Sequence, residues 1–190
     1  MDASSLPLLA ESLGSDGLPL TDLLSQVAIR TEALEGRRRR LEAEIWIPCG
    51  VDRVWEVLTD YEGLATFIPN LTSSRILEQE GDRVRLEQVG AERFWKLTFS
   101  AKVVLDMVTD RPQAIHFTMV QGDFKEMAGS WLLAPQVQEG QAGTRLSYHL
   151  TIHPKRTMPV KLVECHLSVG LPRNLVAIYQ EVMRRKAELA

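Results

Sequence analysis

The sequence is short of the residues that most directly signal chemistry. It holds two cysteines and four histidines in 190 residues, and aromatic residues make up 6%. Cys49 and Cys165 are far apart and neither sits in a C-x-x-C pair, so they build neither a disulfide framework nor a thiolate metal site. Thiols used this sparingly fit a reducing compartment. His116, His149, His153 and His166 are scattered without an H-x-x-x-H spacing, so no metal is expected. There is no basic excess: 22 Lys and Arg stand against 25 Asp and Glu, a net charge of −3, which argues against a nucleic-acid partner. No apolar run approaches the ~18 residues of a membrane span. The opening MDASSLPLLAESLG lacks a basic start, so no secretory signal is expected and the chain reads as cytoplasmic. Nucleophile-elbow, P-loop and dinucleotide-binding fingerprints are missing, and so are repeats.

What remains is an ordinary globular mix, 45% hydrophobic and 25% charged. Residues 1–25, with Pro7, Gly14, Gly17 and Pro19 among scattered leucines, read as a mobile or loosely docked extension. Residues 26–190 read as one folded domain. Val27, Ile29 and Thr31, then Leu41, Ala43, Ile45 and Ile47, alternate with polar neighbours on either side of Glu35-Gly36. Period two around a glycine predicts a hairpin, with a helix over Thr21–Leu34 as its competitor. Val51, Val54, Trp55 and Leu58 recur at helical spacing after Pro48, and Gly63 stops that helix before a further short turn ending near Pro69.

Strand signals then fill about 80 residues. Val84, Leu86 and Gln88 alternate; a long strand is predicted from Phe94 to Met107, with Trp95, Leu97, Phe99, Ala101, Val103, Leu105 and Met107 on one face. At ~3.3 Å per residue it would run roughly 40 Å. Ile115, Phe117 and Met119 form the next row, followed by Met127, Gly129, Trp131 and Leu133, and by Leu146, Tyr148, Leu150 and Ile152. From Met158 the period becomes helical, through Val163, Leu167, Leu171, Leu175, Ile178 and Val182. Thr157 is a candidate cap, Pro159 suits the first turn, and Pro172 should kink or split the helix.

This order describes an α+β domain: a curved antiparallel sheet whose apolar face only the last helix is long enough to cover. A sheet wrapped around one helix need not close tightly, and the gap is a place for an apolar ligand. The stretches VDRVWEVLTDYEGLATFIPNL, VRLEQVG, FSAKVVLDM, GDFKEMAGSW and PRNLVAIYQEV resemble the START-like (SRPBCC, Bet v 1-like) helix-grip superfamily. Within it they are most similar to the polyketide cyclase/dehydrase and coenzyme-Q-binding branch, including uncharacterised cyanobacterial and plastid members. The resemblance spans about residues 27–185. It implies a helix-grip fold and a cavity for a lipid, isoprenoid quinone or polyketide-like molecule, with no cofactor.

The expected cavity wall comes from the inward rows. It comprises Val84, Leu86 and Gln88; Trp95, Leu97 and Phe99; Phe117 and Met119; Met127 and Trp131; and Tyr148. Leu167, Leu171 and Asn174 join it from the last helix. For any one of these a packed core is the commoner role. Gln88, buried among apolar neighbours, should bond either to backbone or to a ligand carbonyl; Asn174 is either a ligand contact or a cap after Pro172. The histidines fit surface or rim positions, and the inward rows carry no Asp or Glu, so no catalytic residue is assigned. The basic run Arg37–Arg40 reads as a solvated strand start paired with nearby glutamates, or as peripheral contact with an anionic membrane. The function this predicts is binding or transfer of a hydrophobic small molecule. A polyketide-type aromatase/cyclase or dehydratase is one alternative, and a partner-binding module with a filled core is another. The oligomeric state is left open.

Overall fold

The computed structural model describes residues 19–94 and 97–188, with the side chains of all of these except 92–94 and 97–99. The extension therefore enters only from residue 19. There the helix α1 (Leu20–Ser25) buries Leu23 completely in the core. The helix that competed with the hairpin over Thr21–Leu34 goes no further than α1. From Ala28 the chain is extended, and β1 (Ala28–Ala33) pairs antiparallel with β2 (Arg39–Ile47). Gly36, at φ 64°, makes the turn in a left-handed conformation that only glycine adopts freely. Leu41, Ala43, Ile45 and Ile47 of β2 are all buried, as their alternation requires.

The helix α2 (Val51–Thr59) buries Val54, Trp55, Val57 and Leu58, and a short 3₁₀ helix follows at Gly63–Thr66. Six strands come next: β3 (Leu71–Glu80), β4 (Arg83–Phe94), β5 (Leu97–Asp110), β6 (Ala114–Gly122), β7 (Glu126–Gln138) and β8 (Gln141–His153). With the first hairpin they form one antiparallel sheet in the order β1-β2-β8-β7-β6-β5-β4-β3. The helix α3 (Val160–Ala187) packs on its inner face, completing a helix-grip α+β fold.

Three sequence expectations need correction. The strand predicted over Phe94–Met107 is divided: Phe94 ends β4 and stands opposite Leu97, the first residue of β5. Alternation continues through both strands and residues 92–97 hold no Gly or Pro, so nothing in the pattern marked the reversal. Pro172 does not split the last helix, which runs unbroken from Val160 to Ala187. A proline removes one backbone bond and costs about 3 kcal/mol in a helix interior. Burial of Leu171 and Leu175 on either side of it offsets that loss. Pro159 is the residue before the first turn rather than in it, and Thr157 makes no cap.

The sheet curves through bulges. Thr72 and Leu77 are extra residues of β3 against β4, and Val120 is an extra residue of β6 against β5. Bulges bend a strand and increase its twist. Leu77 and Val120 are exposed because each stands at the outward phase of its strand's alternation.

Charged clasps hold both ends of α3. Near its start, Arg39 of β2 bonds Glu164 at 2.9 Å, and Arg37 donates to the Met158 carbonyl. Near its end, Arg185 bridges Glu181 and Asp60, each at 2.7 Å, and Arg184 holds Glu181 bidentately. Lys186 donates to the Pro48 carbonyl at 2.9 Å. Hydrogen bonds from Arg184, and then from Arg185, hold the buried Glu181 carboxyl down at about 2, well below its usual 4.5. A carboxyl that binds its proton less tightly when folded stabilises the fold above its unfolded pKa. That stabilisation should fall away between pH 4.5 and about 2, visible as an acid limb in thermal melts. Glu181→Gln should cost about 2 kcal/mol at neutral pH and flatten that limb.

Candidate functional site

The sheet and α3 do not meet along their whole length. Between them lies a cavity of about 270 Å³, lined by all the central strands, by α3, and by the segment from Leu58 to Leu71. One side is an aromatic strip across three strands. Trp131 of β7 stands opposite both Ile115 of β6 and Tyr148 of β8. Its ring lies 4.1 Å from that of Tyr148, and Phe117 stacks on Tyr148 at 5.8 Å. Gly129 makes this possible. It lies opposite Phe117, and a Cβ there would come within 2.5 Å of the Phe117 ring and 2.0 Å of the His149 carbonyl. The missing side chain leaves the place that the Phe117 ring takes over β7.

Among the described residues, the polar groups of the lining are Tyr61, Asn70, Gln88, Tyr148, His166 and Asn174, and none of the lining is Asp, Glu, Lys or Arg. Gln88 Nε2 donates to Ser74 Oγ at 3.3 Å across β3 and β4, so its amide is anchored by a side chain rather than by backbone. Burial pushes the Tyr61 phenol up to about 12 and raises that of Tyr148 further. Both stay protonated at neutral pH and offer O–H donors. The Tyr61 hydroxyl and Asn174 Oδ1 are buried without a hydrogen-bond partner among the described residues.

Nine of the fourteen expected wall residues line this cavity: Leu86, Gln88, Phe117, Met127, Trp131, Tyr148, Leu167, Leu171 and Asn174. Asn174 does so from mid-helix, so it is no cap. Val84 is buried in the core and Met119 packs half-buried against it, both away from the cavity lining. Trp95 lies outside the described residues, and so do the side chains of Leu97 and Phe99 on β5. The sequence reading missed Tyr61, Ile68 and Asn70 between α2 and β3, and Phe124 in the β6–β7 turn. Ile68 and Phe124 carried a usable signal, as apolar residues in otherwise polar connections. His166 was expected at the surface or rim; it lines the cavity half-buried.

Arg37–Arg40 is a set of four separate anchors rather than one solvated run. Arg37 holds three carbonyls of the β8–α3 loop, Arg38 holds Glu126, Arg39 holds Glu164 and Arg40 holds Glu32. No group of His, Cys, Asp and Glu among the described residues is arranged to hold a metal ion. No helix among them is long and apolar enough to cross a membrane.

A curved sheet gripping one helix, with a largely apolar cavity between them, defines the helix-grip class of fold. A family model described as polyketide cyclase / dehydrase and lipid transport matches residues 47–177, and the chain belongs to that family. Among curated proteins it is similar to the ribosome association toxin RatA of Escherichia coli, with 26% identity over 104 residues, 55% of this chain and 61% of that protein. The persistence and stress-resistance toxin PasT of the same species is 25% identical over the same shares. The chain thus spans about three-fifths of the length of the curated relatives it matches. A STAR-related lipid transfer protein from Xanthomonas axonopodis superposes with TM-score 0.71 at 14% identity, covering 83% of this chain and 93% of that one. The Zhui aromatase/cyclase of a Streptomyces species gives 0.65 at 17%, covering 78% and 95%. At these identities the likeness is one of fold.

Two substitutions separate packing from cavity lining. Gly129→Ala should destabilise by about 3 kcal/mol in denaturant unfolding, because the new methyl meets backbone that cannot yield. Trp131→Ala, at a half-buried position, should lower the melting temperature by only a few degrees while weakening uptake of an apolar fluorescent probe about tenfold. A large melting shift with unchanged probe uptake would assign Trp131 to the core.

Proposed function

We propose that the chain binds an uncharged, largely apolar small molecule in this cavity and carries or presents it. The observation that carries the reading is a space of about 270 Å³ between the sheet and α3 whose lining, among the described residues, has apolar walls, several neutral hydrogen-bonding groups and no charged side chain. An apolar cavity of about 150 Å³ takes up benzene, so this one matches a ligand of roughly two fused rings, or the ring and first tail carbons of an isoprenoid quinone. Burial supplies the affinity, at about 25 cal/mol per Å² of apolar ligand surface. The neutral phenols of Tyr61 and Tyr148 and the amide of Asn174 suit a ligand carbonyl or hydroxyl. A carboxylate would lose its hydration without meeting a countercharge among the described residues of the lining.

A cyclase or dehydratase is the second reading, and the position of His166 favours it. An imidazole and two phenols line one cavity, which are the residue types that acid–base chemistry on a neutral ketone uses. The filled-core partner module is opposed by the cavity itself.

The test is organic-solvent extraction of the protein from its native host, purified without detergent, with mass spectrometry of what is released. A stoichiometric neutral, oxygen-bearing apolar compound is expected. In the same protein, 1-naphthol should bind at least tenfold tighter than 1-naphthoate, with naphthalene between them. An empty extract together with no uptake of any of the three overturns the binding reading. Preference for naphthoate overturns the uncharged-ligand reading alone.

A further inference from the structure

The β1–β2 turn and the loop between β8 and α3 face each other across a second hollow. Arg37, Arg38, Lys125, His153, Lys155 and Arg156 line it, together with Glu35. It adjoins the cavity at the β6–β7 turn, where Phe124 lines one space and its neighbour Lys125 the other. Five cationic side chains gather here, against Glu35 and the adjacent Glu126, in a chain whose overall charge is −3. The local sign is opposite to that of the whole molecule.

The way these cations are held matters more than their number. Arg37 donates to the carbonyls of Pro154, Lys155 and Met158, and Lys155 Nζ donates to the Gly122 carbonyl at 2.9 Å. Carbonyls are neutral, so they fix the position of a cation without cancelling its charge. Arg38 is the exception, held bidentately by Glu126 at 3.1 Å. His153 Nδ1 is buried without a hydrogen-bond partner among the described residues, 3.6 Å from Glu126. Lys125 and Arg156 are exposed at the rim.

We propose that this hollow is a binding site for a phosphate-class oxyanion. Several fixed positive charges converging on one concavity repel each other, and an anion with several acceptor oxygens relieves that repulsion at little cost in reorganisation. A phosphate monoester, carrying nearly two charges and three free oxygens, matches the positive excess better than a single carboxylate. The site is independent of the cavity reading, because the cavity takes a neutral molecule and this hollow an anion.

The anion has two possible sources, free phosphate or the headgroup of an anionic lipid, and the test separates them. Inorganic phosphate is titrated into the full chain by calorimetry. Sedimentation is measured with phosphatidylcholine vesicles that contain phosphatidic acid. Lys125→Gln with Arg156→Gln is compared with a charge-matched control elsewhere, Arg53→Gln with Arg75→Gln. The site is supported where binding of either probe falls about 30-fold in the first pair and less than threefold in the control. Phosphate binding without vesicle binding identifies the free anion. Vesicle binding that phosphate displaces identifies the headgroup. Arg156→Gln alone, which removes only an exposed side chain, should give a smaller loss in the same direction at an unchanged melting temperature. Binding of neither probe, or equal losses in the two pairs, overturns the proposal.

Discussion

Everything inside this protein depends on α3 being held at its two ends. A helix that covered a sheet only through apolar packing would have to touch it everywhere, since every gap forfeits dispersion contacts. Here Arg39–Glu164 at one end, and the cluster of Asp60, Glu181, Arg184 and Arg185 at the other, fix the helix from outside the space it spans. Part of the middle of the helix is then released from the duty of filling the core, while Leu175 and Val176 beside it stay buried. Leu167, Leu171 and Asn174 border a cavity rather than close it. The four consecutive arginines at the start of β2 fit the same logic: each reaches a different partner, and two of them tie the sheet to the beginning of α3.

The sheet contributes the complementary half. Its curvature comes from three added residues, Thr72, Leu77 and Val120. Its inner aromatic strip comes from an omitted side chain, at Gly129. Additions bend the wall around the helix, and the omission lets Phe117, Trp131 and Tyr148 stack as one surface. The two hollows that result differ in electrostatic character although they share one turn. One is lined, among the described residues, by neutral groups, with its phenols kept protonated by burial; the other gathers an excess of cations, of which Arg38 is paired with Glu126. The two proposed ligands, one neutral and apolar and one anionic, would therefore not compete.

The sequence was legible where one period persisted and one face was buried. The rows on β2, β6, β7 and β8 read directly, as did the stripe of α3, because alternation and helical spacing record which side meets the core. Turns without glycine or proline were not legible. β4 ends at Phe94 and β5, antiparallel to it, begins at Leu97, yet the apolar alternation carries on from one to the other, so Phe94 read as part of the strand that follows. Pro172 misled in the opposite way: local propensity argued for a break, and the packing of Leu171 and Leu175 overrode it. For the cavity, sequence phase assigned residues to the inner face but not to the gap. Val84 and Leu86 share a face of β4, yet only Leu86 reaches the open space. Tyr61, Asn70 and Phe124 come from connections, where no period exists to reveal them.

Pro172 has one more consequence. Without its N–H, the turn of α3 from Ser168 to Pro172, which contains Leu171, lacks a rung of the helical ladder, and that turn lies between the two clasped ends. A beam fixed at both supports yields where it is thinnest, and here the thin place borders the cavity. The compliance of the helix is therefore concentrated beside the cavity. A change in the width of the cavity would be met by slight flexing at mid-span, with both supports in place.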